Sequence, residues 1–463
     1  MFNQIILLLI IGISSHFVEI DGNELYDVVI IGAGPAGIAA AMELKRARPT
    51  ISMAILEARN RIGGRVFTDK HTFKDEVVAD IGAEWIHAYG RTNPLYKLHR
   101  QLQTPEDQRG DQIFEFFTPS ITGCYDIRGS IVPRQICRQA QHTFKKLFSP
   151  KYNRTLDEKD ISVRDMIRPE YEKIPNGLLK QLVDAMLVDR EEHEAADLES
   201  ISARQTFFDD SAGDDEEDKG DDMALVRGYG TLIKRIAKKS NLTIELNSIV
   251  TKVSVEDSDS VEISTRAGRT IESKFVLITV PLGCLKKGSI EFMPALPPWK
   301  IDAINAMGFG DTDKIILQFE HVFWDRTLTT FYIAGSSFPF AICAPKKKIL
   351  VFMVGGSRAR RMEATNDQTT IETILTDLKA AFPRKTIKLV RSRISRWTQD
   401  IFAYGSYSYY ALNTNIKTFE ALAKQCCNDR LFWAGEHTST GGSVHTAFAT
   451  GQREAKNLLR FLV

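Results

Sequence analysis

Residues 27–65 read DVVIIGAGPAGIAAAMELKRARPTISMAILEARNRIGGR, and their reading decides the fold. Asp27–Ile31 is an apolar, β-branched run, as expected of a central parallel strand buried on both faces. It runs directly into Gly32-Ala33-Gly34-Pro35-Ala36-Gly37, a G-x-G-x-x-G pattern. A helical pattern rich in Ala and Leu follows to about Ala47, and a second apolar run spans Ile51 to Leu56, which closes a βαβ unit. Gly32 permits the tight turn, Gly34 lets backbone approach a pyrophosphate, and Gly37 lets the helix pack closely on the strand. The helix N-terminus, with Ala36 in its first turn, offers unpaired N–H groups and partial positive charge to phosphate. Glu57 ends the second strand, where a carboxylate can take the hydroxyls of an adenosine ribose.

The next residues choose the dinucleotide. Ala58-Arg59-Asn60-Arg61-Ile62-Gly63-Gly64-Arg65 puts a glycine pair and arginines directly after the ribose carboxylate. A nicotinamide site needs nothing there. FAD needs a second close backbone approach, at Gly64, and guanidinium groups such as Arg59 and Arg65 to meet phosphate charge. The bland alternative for these arginines is a basic loop.

Here the chain resembles the flavin-containing amine oxidases, whose L-E-A-x-x-R-x-G-G-R stretch is matched by Leu56 to Arg65. Four more segments follow in order. Gly82-Ala83-Glu84-Trp85-Ile86-His87 resembles the family's segment along the flavin, and W-I-H resembles the polyamine and spermine oxidases, which places His87 beside the substrate. Glu84 then pairs with a cavity cation or caps the turn, and Trp85 lies along the cofactor. Lys314, ahead of the apolar run Ile315–Phe319, matches a lysine that many amine oxidases bond through water to the flavin N5. An ammonium there would stabilise negative charge on oxygen as it takes up electrons. Trp397 to Tyr409 resembles the W-x-x-D-x-x-x-x-G-S-Y-S of polyamine oxidases, with Trp397 at the cofactor and Tyr407 walling the cavity. Finally, Leu431–Thr438 looks like the second FAD signature, with Gly435 and Glu436 at the ribityl chain. Ser443 and Val444 open a last helix whose N-terminus would face the flavin, Ser443 also reaching substrate. Val250 begins the strand that holds adenine in relatives. No cysteine stands where monoamine oxidases bind flavin covalently, so non-covalent FAD is expected and no metal. Ala88 and Thr446 replace glycines usual in the family, and Thr446 is expected to tighten or re-route the cavity.

The resemblance implies an α/β fold: a discontinuous Rossmann-like FAD-binding domain with an inserted α+β substrate domain of sheet plus helices. Expected limits are 22–95, 223–290 and 428–463 for the first, 96–222 and 291–427 for the second. Amphipathic stretches at Leu95–Leu102, Ala140–Leu147, Ile161–Ile167 and Leu178–Val188 predict helices, and Thr243–Leu246, Ile249–Val255, Val261–Thr265 and Phe275–Val280 predict strands. Glu191, Glu192, Glu194, Asp197 and Glu199 cluster where relatives place a carboxylate facing a distal substrate amine. The acidic run Asp209–Asp222 reads as a solvated loop, or as a negative rim that captures polycations.

The chain has 463 residues, 43% hydrophobic and 26% charged, with net charge +1. That is ordinary for a globular enzyme and gives no reason to expect nucleic acid as a partner. The apolar run Ile5–Ile13 is too short to span a bilayer and looks like a signal peptide over 1–21, so the protein is expected to be secreted, with no transmembrane anchor. Sequons at Asn153 and Asn241 are compatible with that. Six cysteines allow one bridge, for instance Cys124–Cys137, though pairing is not legible in sequence. Oligomeric state is not legible either.

The implied reaction is oxidation of a polyamine C–N bond by hydride transfer to flavin N5, with O2 reoxidation giving H2O2 and an aldehyde plus amine. Rivals are an L-amino-acid oxidase, which would need an arginine for the substrate carboxylate (Arg391, Arg393 or Arg396), a histone demethylase, and a non-catalytic FAD-binding protein. The missing coiled-coil insertion and the apparent signal peptide weigh against the demethylase.

Overall fold

A computed structural model describes residues 25–110, 112–114, 122–129, 132–149, 160–207, 221–255 and 260–462. The expected signal peptide, the Asn153 sequon and most of the acidic run lie outside them. Asn241 is exposed. No helix among the described residues is long and apolar enough to cross a membrane.

The strand Leu25–Ile31 takes the central place its composition predicts. It lies parallel between Met53–Leu56 and Thr270–Ile278, with Val28, Val29 and Ile30 fully buried. Thr270–Ile278 is long enough to serve two neighbours on its far edge. Its first half pairs antiparallel with Val261–Thr265, and its last three residues pair parallel with Leu431–Trp433. Val250–Ser254 and Glu291–Met293 complete a seven-stranded sheet. Helices Pro35–Ala47 and Val444–Leu459 pack against each other over one face of the sheet, so the first and last segments of the chain build one cofactor domain.

A second, six-stranded sheet runs Leu389–Ile394, Thr312–Phe319, Ile349–Gly355, Phe340–Ala344, Thr330–Ala334 and Thr122–Asp126. All neighbours are antiparallel except the last pair. Thr312–Phe319 is buried along its whole length, which is why that stretch mixes apolar residues with site polar groups. Helix Leu178–His193 packs across this sheet.

The four predicted helices form at Pro94–Leu102, Arg134–Leu147, Val163–Tyr171 and Leu178–His193. Three expectations change. Thr243–Leu246 makes only an isolated bridge, Glu245 to Leu56, because the chain there turns around the Glu57 loop. Glu291–Met293 still belongs to the cofactor sheet, and helices Pro298–Ala306 and Ile416–Ala423 pack in the same core, so this body extends past 290 and resumes before 428. Asp222 is no part of a solvated loop. It is buried at the start of the strand Asp222–Ala224, which pairs with Trp85–Ile86 and Gln112–Phe114. Cys124 and Cys137 form a disulfide that ties the edge strand of the second sheet to helix Arg134–Leu147.

Candidate active site

One continuous cavity of about 1180 Å³ runs from the end of the first strand, between the two sheets, to helix Leu178–His193. At its first end the glycine turn is forced by packing. Gly32 has φ +107°, and a Cβ on Gly37 would sit 2.0 Å from the Gly32 carbonyl oxygen. Gly34 differs: a Cβ there would meet nothing within 4 Å, and one on Gly64 would lie 3.6 Å from the Gly34 Cα. These two glycines therefore border open space at the N-terminus of helix Pro35–Ala47, with Ala36 in the lining. Glu57 is held by the amides of Ala33 and Arg59, both at 2.8 Å. Burial keeps its carboxyl above the ordinary range against those two bonds. Val250 lines the same end.

In mid-cavity, Arg59 is bound by Asp400 at 2.8 Å, and Arg65 by Glu436 at 2.9 Å and the Ser406 carbonyl at 2.5 Å. Glu436 also accepts from the Ser408 amide and hydroxyl. Burial pushes the Glu436 carboxyl up, but Arg65, His437 and the Ser408 hydroxyl together hold it below its usual range. Gly435, Trp397 and Val444 border the same space. Ser443 also lines it, with its hydroxyl engaged in the capping box of the last helix and bonded to His445 Nδ1 at 2.8 Å. Thr446 completes that box. It is not among the lining residues, so the expectation that it reshapes the cavity is corrected: the hydroxyl turns back to the Ser443 backbone. Ala88 does line the cavity and adopts the left-handed φ of +46° that a glycine there would take freely.

Beyond this lies a cluster around Lys314. Its ammonium donates to Glu84 at 2.7 Å and to the Asp80 carbonyl at 3.2 Å, and sits 5.5 Å from the Trp85 ring centre. Of the two sequence readings of Glu84, the structure thus has the cation pair. Asp80 is fully buried, and burial together with the Glu84 charge raises its carboxyl to about 7. His87 is half-exposed in the cavity, with Nδ1 2.9 Å from Asp222, whose other oxygen takes the Ala88 amide at 3.2 Å. Tyr407 places its hydroxyl at 3.0 and 2.9 Å from the carbonyls of Glu192 and His193.

Sequence reasoning missed one residue and left another unselected. Asp189 and Glu192 both reach the cavity from the last turns of helix Leu178–His193. Their i,i+3 spacing on one helical face is the signal that could have paired them. Burial and the nearby Asp189 raise Glu192 to about 8, against the pull of Lys314. Burial raises Asp189 to about 6, against a 2.6 Å bond from Tyr332. None of Arg391, Arg393 and Arg396 lines the cavity; Arg396, for example, binds carbonyls of the loop at Glu363 and Thr365.

The glycine cradle, the buried ribose-type carboxylate and the Arg65–Glu436 pair all fit FAD, which makes this a two-domain FAD-dependent oxidoreductase site. The family model described as flavin containing amine oxidoreductase matches residues 35–459, and the chain belongs to that family. Polyamine oxidase 2 of Arabidopsis thaliana is 33% identical over 446 residues, covering 93% of this chain and 87% of that protein. Lysine-specific histone demethylase 1 homolog 1 of the same plant is 32% identical over 470 residues, 95% of this chain but 53% of that one. Among solved structures, wild-type putrescine oxidase bound to putrescine superposes with a TM-score of 0.73 at 19% identity, covering 94% and 99% of the two chains, a likeness of fold.

Proposed function

We propose that this FAD-dependent amine oxidase is secreted and acts on polyamines, with O2 as acceptor, yielding hydrogen peroxide, an aldehyde and a shorter amine. The observation that carries the substrate class is the chemistry of the cavity's far end. Asp189 and Glu192 line the cavity from one helix and Asp222 lines it beside His87, while the lining arginines Arg59 and Arg65 are spent on Asp400 and Glu436. The third among the described residues, Arg266, stands at the Val250 end, its backbone amide donating to the Ile249 carbonyl. A carboxyl-rich wall suits a chain of ammonium groups and repels an amino acid's carboxylate. The Cys124–Cys137 disulfide supports an oxidising compartment.

FAD, when bound, would supply the redox chemistry, as an acceptor for the substrate's hydride and a donor to oxygen. The protein's share is binding, orientation and proton control. Glu57, the glycine cradle and Arg65 would hold the cofactor. Glu192 and Asp189 fix the depth of a distal ammonium, and so choose which carbon is presented. The main chain of Glu192 is itself fixed, since Thr312 and Tyr407 both bond its carbonyl. His87 gives Nδ1–H to the Asp222 carboxylate, which in the neutral ring makes Nε2 the nitrogen that can take a proton from the reacting ammonium.

Anaerobic mixing with spermine, N-acetylspermine, a monoamine and an L-amino acid tests the reading through loss of the oxidised-flavin band. Bleaching by a polyamine alone is expected. Bleaching only by the amino acid would overturn it.

Glu192 also sets a pH dependence. Protonated below about 8, Glu192 is neutral near neutral pH, where Asp189, at about 6, carries the charge of the pair, and becomes a second carboxylate above. Polyamine affinity should therefore tighten as pH rises through that value, and binding should release a proton. Glu192→Gln is expected to flatten this rise and weaken binding by about 10-fold or more on the alkaline side. Calorimetry in buffers of different ionisation enthalpy reads both effects, and an unchanged proton release in the variant would remove Glu192 from the substrate's reach.

A further inference from the structure

Two adjacent cysteines sit at the root of the strand that carries the chain to Glu436. Cys426 and Leu431 exchange both main-chain hydrogen bonds, at 3.1 and 3.2 Å, so residues 427–430 form a closed turn. Cys427, Asn428 and Asp429 are all left-handed, with φ of 59°, 57° and 56°. The two sulfurs lie 3.3 Å apart, the Cys427 thiol donating to Cys426.

A second feature faces the same turn. Lys300 is fully buried, and its ammonium donates to the carbonyls of Ala421, Leu422 and Lys424 at 2.8, 2.9 and 2.7 Å, closing the end of helix Ile416–Ala423. It lies 4.6 Å from the Trp433 ring centre. The Cys427 hydrogen bond and, against burial, the Lys300 ammonium hold the Cys426 thiol below its ordinary range; the same hydrogen bond raises Cys427, and burial lowers Lys300 to about 7. The other two free cysteines have the opposite setting: burial pushes Cys284 up to about 11 and Cys343 up to about 12. Thiols of lowered pKa beside a basic group react most readily with peroxide where it can reach them; here Cys427 is half-buried and Cys426 buried. Cys426, Cys427 and Lys300 are not among the residues lining the cavity, so amine oxidation does not account for them.

We propose that Cys426 and Cys427 are a peroxide-responsive dithiol. The Cys426 thiolate attacks hydrogen peroxide, the O–O bond breaks, and the sulfur becomes a sulfenic acid while one oxygen leaves as water. The Cys427 sulfur then displaces the second oxygen, also as water, and a disulfide joins the neighbours. In sum two thiols and one peroxide give one disulfide and two waters, both electrons coming from the sulfurs. The modification falls where Cys426 sets the register of Leu431–Trp433, just ahead of Gly435 and Glu436. Control by the enzyme's own product rests on the oxidase reading, whereas the reaction with added peroxide does not.

The test uses the folded full chain, with this pair first reduced, exposed to added hydrogen peroxide, quenched with catalase and alkylated for peptide mapping. The Cys426–Cys427 peptide should lose two hydrogens and escape alkylation, about tenfold faster than Cys284 or Cys343 is modified in the same molecules. A mild thiol should restore it. In Cys427→Ser, Cys426 should stop at a sulfenic acid that dimedone traps. The proposal is overturned if the pair stays alkylatable, if Cys284 or Cys343 reacts first, or if the urea-unfolded chain oxidises as fast as the folded one.

Discussion

Lys314→Met is expected to leave anaerobic flavin bleaching by substrate near its wild-type rate while slowing the return of colour in oxygen by about 100-fold. The reason lies in what the ammonium can reach. Lys314 is the cation of the Asp80, Glu84 and Trp85 cluster, held between the Glu84 carboxylate and the Asp80 carbonyl at the cavity wall. Substrate arrives already cationic and gains nothing from a second ammonium. Oxygen taking up electrons becomes anionic and gains a great deal, because a buried charge already held in place acts without reorganising. Both half-reactions can be followed separately by stopped flow.

Removing the lysine also strands Glu84 beside Asp80, a pair of carboxyls without their cation, and that alone could disturb the site. The double variant Lys314→Met with Glu84→Gln separates the two effects. It should recover flavin content and thermal stability yet stay slow in oxygen. Equal slowing of both half-reactions, or recovery of the oxygen reaction in the double variant, would assign Lys314 a structural role.

Much of this site is legible in sequence because its cofactor half is built by local rules. A β-branched run, a glycine turn and a carboxylate at the next strand end each act within a few residues of one another. The packing that fixes Gly32 and Gly37 is contained in the same βαβ unit. The substrate half is assembled from long-range contacts, and its residues carry no local signal. Asp222 ends an acidic run that reads as solvent-facing, yet it is buried because its strand pairs with Trp85–Ile86, more than a hundred residues earlier. Asp189 and Glu192 sit in a helix whose composition says only that it is amphipathic in part; the sheet beneath decides which carboxyls face the cavity. Thr446 failed in the other direction. A departure from the family pattern within a motif suggested a change of cavity shape, but at the third residue of a helix a threonine is as ready to cap as to project.

Asp222→Asn should lower the rate of substrate-driven flavin bleaching by about 100-fold while leaving flavin content and melting temperature near wild type. Strand pairing of Ile86 with Met223 sets Asp222 opposite His87, and its carboxylate takes both His87 Nδ1 and the Ala88 amide. The His87 carbonyl is held in turn by Asn93 Nδ2 at 2.7 Å, so main chain and ring are both fixed. A carboxylate can only accept, which puts a proton on Nδ1, so that in the neutral ring Nε2 is the basic nitrogen. An asparagine can donate to Nδ1 instead, and the ring then carries its proton on Nε2, facing the substrate with a donor where an acceptor is needed. Asp222 acts through His87 in this account, so the two effects cannot add: in a His87→Gln background, Asp222→Asn should cost little more. A substrate-anchoring or purely structural Asp222 would cost as much in that background as in the wild type, and the non-additivity of the cycle decides between them.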